Sequence, residues 1–95
     1  MTDSSLIARR LTISGRVQGV GFRYALADEA RARRLRGWVR NRRDGSVEAV
    51  VAGSAADVAA MIAWAHRGPP GARVTAVKVE PAQGEFSEFD IVPTA

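Results

Sequence analysis

The chain has 95 residues with 14 lysines and arginines, 10 aspartates and glutamates, a formal charge of +4 and 46% hydrophobic residues. This is the size and balance of one small globular domain with a modest core, and not of a disordered or fibrous protein. It has no cysteine, which excludes a disulfide framework, a thiolate nucleophile and a cysteine-ligated zinc site.

From the start of the chain, Met1-Thr2-Asp3-Ser4-Ser5 lacks the basic-then-apolar pattern of a secretory signal. No apolar run approaches the roughly 20 residues that a membrane helix needs. A cytoplasmic protein with no membrane partner is expected, with residues 1–6 as a flexible extension of a single domain over 1–95. Leu11, Ile13 and Val17 share one parity and Thr12 and Ser14 the other, so Ile7–Val17 reads as the first strand. Next comes Gly15-Arg16-Val17-Gln18-Gly19-Val20-Gly21-Phe22-Arg23. Glycines let the backbone turn sharply and approach a ligand closely. Amides of such a turn, joined by the N-terminus of a following helix, favour an anion. The run is neither a Rossmann fingerprint nor a Walker A loop. From spacing alone, an oxyanion cradle and a plain strand-to-helix turn stand level.

Phe22, Leu26 and Ala30 recur every four residues, giving an amphipathic helix from about Gly21 or Phe22, in which Glu29 can pair with Arg33. Arg23 then falls in its first turn. Leu35–Asn41 is predicted as the second strand, Arg42-Arg43-Asp44-Gly45 as a hairpin turn, and Val47–Ala52 as the third strand. Ser54 is a suitable N-cap for a second helix marked by Val58, Met61, Ile62 and Ala65 and ended by Gly68-Pro69-Pro70. Val74–Glu80, with Val77 and Val79 on one face, and Phe86–Val92 complete the pattern as strands. The order βαββαβ plus a last strand predicts an α+β, ferredoxin-like α/β sandwich, with two helices packed on one face of an antiparallel sheet.

Arg31, Arg33, Arg34, Arg36, Arg40, Arg42 and Arg43 crowd a short stretch. This could be a nucleic-acid footprint, or a solvated surface that attracts small anions. The second reading is preferred, because few aromatics are interleaved among the arginines for base stacking. The third strand also lacks the aromatics of an RNA-reading sheet, so nucleic acid is not an expected partner. His66 fits a role at a helix C-terminus, Trp38 and Trp64 fit half-buried anchors, and Arg16 a structural or solvated position. No His/Asp/Ser constellation and no metal-ligand spacing is visible, so neither a metal, a cofactor nor a covalent intermediate is expected.

The glycine run resembles the signature of the acylphosphatase family. A second block, Gly37-Trp38-Val39-Arg40-Asn41 followed by Asp44-Gly45-Ser46-Val47-Glu48, lies at the family's distance. With Gly68-Pro69-Pro70 and Phe89-x-Ile91, the likeness extends over nearly the whole chain. It implies a hydrolase that splits the carboxyl–phosphate bond of acyl phosphates by direct attack of a water, working as a monomer. Arg23 and Asn41 would be the catalytic pair. Backbone N–H groups of Gln18, Gly19, Val20, Gly21, Phe22 and Arg23 would hold the phosphate, Arg23 would pair with the phosphoryl group, and Asn41 would hold the water. Inorganic phosphate or sulfate would bind as product-like ligands. Without the likeness, Asn41 reads as a turn residue. A domain of this fold that binds an anion without hydrolysing it differs from the enzyme only through Asn41. One departure stands out: the family's usual Leu-Gly is replaced by Arg33-Arg34, and a glycine there normally takes the left-handed C′ conformation.

Overall fold

The computed structural model describes residues 6–95. The expected extension therefore lies outside the described residues as far as residue 5, while Leu6 already belongs to the sheet. The elements are β1 (Leu6–Arg16), α1 (Phe22–Ala32), β2 (Arg36–Asn41), β3 (Val47–Ser54), α2 (Ala55–Arg67), β4 (Arg73–Pro81) and β5 (Phe89–Ile91). They form one five-stranded sheet in the order β4-β1-β3-β2-β5.

Alternation along β1 and β3 puts Leu11, Ile13, Val47, Ala49 and Val51 on the helix-covered face, each fully buried. The expected four-residue spacing in α1 buries Phe22, Leu26 and Ala30 against them, and Val58, Met61 and Ala65 do the same from α2. Each large apolar side chain removed from water here contributes about 1.5–3 kcal/mol before entropy is counted. Val77 is half-buried against this core, whereas Val79, at the outer edge of the sheet, stays exposed.

The sheet differs from the expected antiparallel one. β1 pairs antiparallel with β3 and β4, and β2 with β3, but β5 runs parallel to β2. The cause is connectivity. β4 ends at the sheet end where β1 and β2 begin, on the opposite edge from β5. Residues 82–88 cross that end, held at the start by the Ala82 N–H donating to the Ala8 carbonyl. β5 therefore enters in the direction of β2, and only Phe89–Ile91 is strand, shorter than the predicted Phe86–Val92.

Both helix ends are specified locally. The Ser54 hydroxyl accepts from the Asp57 N–H at 3.1 Å and donates to the Asp57 carboxylate at 3.0 Å, so the predicted N-cap holds. At the end of α1, the Arg34 N–H donates to the Arg31 carbonyl and the Leu35 N–H to the Ala30 carbonyl, a Schellman closure. Arg34 sits at its left-handed position with φ 59°, where the side chain is strained. Arg34→Gly should therefore stabilise the fold by about 1 kcal/mol and raise Tm by roughly 4–8 °C. A thermal melt showing an unchanged or lower Tm would refute this.

The arginine-rich stretch is largely engaged within the molecule. Arg31 donates from Nε and Nη2 to the Phe89 carbonyl, tying α1 to β5, and Arg33 pairs with Glu29 at 2.9 Å as expected. On the sheet face away from the helices, the buried Glu48 carboxylate receives Arg40 at 2.9 Å, Arg42 at 3.0 Å and Arg10 at 3.5 Å. Arg40 also lies over the Trp38 ring, 4.8 Å from its centroid. Burial pushes the Glu48 carboxyl up, but the hydrogen bonds and charges of Arg40 and Arg42 outweigh it and hold the pKa below its ordinary 4.5. A group whose pKa is lowered on folding stabilises the fold above its unfolded pKa and loses that contribution as the pH falls below it. Glu48→Gln should cost about 1–2 kcal/mol at pH 7 in urea titrations. The difference from wild type should shrink as the pH drops below 4.5. An equal difference at neutral pH and at about pH 3, well below an ordinary carboxylate pKa, would show that charge is not its source.

Candidate active site

The loop between β1 and α1 is shaped by its glycines. Gly19 and Gly21 have φ of 77° and 78°, and a Cβ added at either would meet nothing within 4 Å. The backbone is therefore left-handed at both positions and open on that side, where a ligand can approach. Gly21 is the N-cap of α1, with no side chain capping the helix and no acidic residue in its first turn. Among the described residues, the backbone N–H groups from Gln18 to Tyr24 donate to no backbone carbonyl, and intrahelical bonding begins with Ala25 N–H to the Gly21 carbonyl. The loop thus presents a run of free donors at the positive end of a helix.

Of the expected site residues, Val20 is half-buried beside the core and Phe22 is buried within it. Phe22 meets the Trp64 ring edge-on at 5.6 Å, so that the aromatic core supports the loop's exit. Arg23 is half-buried in the first turn of α1. Among the described residues it makes no ion pair; its guanidinium lies 5.6 Å from the ring centroid of the exposed Tyr24.

Asn41 is the last residue of β2, two positions beyond the buried Val39 and so on the same helix-facing side of the sheet. Its backbone is fixed by β3, where it pairs with Val47, and by the chain's last residues. The Ala95 N–H donates to the Asn41 carbonyl at 3.1 Å, and the Arg43 N–H donates to the Ala95 carbonyl at 2.9 Å. Its side chain is half-exposed. The loop and the Asn41 hairpin are joined directly. Gln18 Nε2 donates to the carbonyls of Arg42 at 2.7 Å and Ser46 at 2.9 Å. Sequence reasoning placed only the Gln18 backbone in the site and missed this tie, since partners 24 and 28 residues away leave no local signal.

A cleft of about 910 Å³ lies elsewhere. It is lined by Leu6, Ile7, Arg34 and Phe86 among others, at the far end of β1 from the glycine loop. The glycine loop lies outside that cleft, and its open side suits a ligand gripped by charge and hydrogen bonds. Among the described residues, no three His, Asp or Glu side chains group to hold a metal ion, and no helix is long and apolar enough to cross a membrane.

Two helices on one side of a five-stranded sheet, with an uncapped glycine loop leading into the first of them, define a small ferredoxin-like α+β protein. The family model for acylphosphatase matches residues 9–91, and the chain belongs to the acylphosphatase family. An acylphosphatase of Azoarcus sp. is 54% identical over 93 residues, covering 97% of this chain and 95% of that one. One of Rhodopseudomonas palustris is 63% identical over 79 residues, covering 83% and 80%. The structure of an acylphosphatase from Coxiella burnetii superposes with a TM-score of 0.89 at 34% identity, covering 93% of this chain and 94% of that one. This chain is accordingly an enzyme that hydrolyses acyl phosphates.

Proposed function

We propose that the open side of the glycine loop is where the acyl phosphate reacts. The N–H groups of Gln18, Gly19, Val20, Gly21, Phe22 and Arg23 hold the phosphoryl oxygens. The Arg23 guanidinium pairs with that group through its fork of donors as charge shifts during the reaction. Asn41 orients a water for direct attack on phosphorus. The P–O bond to the acyl group breaks, and a carboxylate and inorganic phosphate leave. The observation that carries this reading is the run of N–H groups from Gln18 to Tyr24 that, among the described residues, find no backbone acceptor at the start of α1.

The chemistry asks for little else. A departing carboxylate has a pKa of about 4 and needs no strong general acid to protonate it. Phosphoryl transfer draws mainly on positioning and charge stabilisation, which amides, one arginine and one asparagine can supply. The working form is a cytoplasmic monomer.

Phosphate release from a small aryl acyl phosphate, without added metal, is the direct test. Phosphate and sulfate should inhibit competitively and weakly, because each fits the loop amides, and chelators should leave the rate unchanged. Activity lost on chelation and restored by a divalent ion would overturn the metal-free mechanism.

A further inference from the structure

We propose that the Gln18 side chain is a positioning residue: by bonding the Arg42 and Ser46 carbonyls together, it sets the distance between the phosphate loop and Asn41. The inference rests on the roles proposed above for the loop and Asn41, and adds a residue that acts through them. Both partners of Gln18 Nε2 are carbonyl oxygens, at 2.7 and 2.9 Å, which can only accept. The orientation of the amide is thereby fixed by chemistry, with both N–H groups directed at the hairpin.

Those two carbonyls are also the ones that close the hairpin. The Arg42 carbonyl already accepts from the Gly45 N–H at 3.1 Å, and the Ser46 carbonyl from the Arg42 N–H at 2.8 Å. Asp44 fixes the same turn from within, its carboxylate accepting from the Ser46 N–H at 2.9 Å and the Ser46 hydroxyl at 2.7 Å. Gln18 therefore grips a rigid turn, and Asn41 immediately precedes it. The phosphate-side donors and the water-side amide stand on separate elements, the β1–α1 loop and the end of β2. Among the described residues, no other side-chain hydrogen bond joins that loop to this hairpin.

The test uses Gln18→Met, which keeps the length and removes both donors, and Gln18→Asn, which keeps the amide but falls one methylene short. An attacking water displaced by a fraction of an ångström should lower kcat by about 10- to 100-fold in both variants. The loop keeps its own amides, so the inhibition constant for inorganic phosphate should stay within about threefold of wild type. Wild-type kcat with a lowered Tm would reduce the tie to a structural role and overturn the inference. A phosphate inhibition constant that rises in step with the loss of kcat would also overturn it, because Gln18 would then shape the cradle itself. Asn41→Ala measured alongside separates the two proposals. Undiminished turnover there removes the role of Asn41 and this inference with it. Slow Asn41→Ala beside fast Gln18 variants removes the inference alone.

Discussion

Arg23→Ala should lower kcat/KM by about a thousandfold or more, in the range seen when a charge-stabilising donor or arginine is removed from an acyl- or phosphoryl-transfer site. The fold should survive it. Arg23 is half-buried in the first turn of α1 and, among the described residues, makes no ion pair, so thermal melts of variant and wild type should nearly coincide. Arg23→Lys tests the geometry instead of the charge. A lysine keeps the positive charge but replaces a planar fork with a compact ammonium, which cannot bridge two phosphoryl oxygens as a guanidinium does. Its kcat should fall at least about a hundredfold. A lysine variant with near wild-type kcat would mean that charge near the loop is enough, and that the bidentate grip has no part in the reaction. Phosphate inhibition should weaken in both variants, because the product anion loses the same partner.

The elements most legible in the sequence were those whose cause is local. The spacing of Phe22, Leu26 and Ala30, the alternation through Leu11 and Ile13, the Ser54 cap and the Asp44-Gly45 turn each act over a few residues, and the structure places them as read. The left-handed Arg34 was legible through the family likeness, because the family's usual glycine marks that position. What was hidden depends on residues far apart in the chain. The parallel β5 follows from where β4 ends in space, and its sequence carries no sign of direction. Within the arginine-rich stretch, the bond from Arg31 to the Phe89 carbonyl, 58 residues on, likewise had no local sign.

The site divides the same way. The glycine loop and Arg23 offered an anion cradle through composition, level with a plain strand-to-helix turn until the family likeness decided between them. Asn41 is different: an asparagine before a turn is ordinary, and only the likeness to a family singled it out. Its setting joins one hairpin neighbour to two remote pieces. Val47 pairs with it across the sheet, Ala95 bonds its carbonyl, and Gln18 ties the loop to the turn that follows it. Only the first of these contacts, across the predicted hairpin, has a counterpart in local sequence pattern.

Asn41→Ala should then lower kcat by about a hundredfold or more while leaving KM and the phosphate inhibition constant nearly unchanged. A residue that orients the attacking water acts in the transition state, and removing it spares ground-state binding. Asn41→Asp preserves the outline of the side chain but places a carboxylate beside an anionic substrate. It should lose activity as well, and phosphate should bind more weakly through like-charge repulsion. A turn residue would behave otherwise. Asn41 ends β2, and its backbone bonds to Val47 and Ala95 do not depend on the side chain, so either substitution should shift Tm by only a few degrees, about 1 kcal/mol at most. Measuring kcat, phosphate inhibition and Tm on the two variants therefore separates the roles. Wild-type turnover in a stable Asn41→Ala protein would remove Asn41 from the reaction and leave the water to be held by Arg23 and the loop amides alone. A fall in kcat accompanied by an equal rise in the phosphate inhibition constant would instead make Asn41 a ligand of the phosphate.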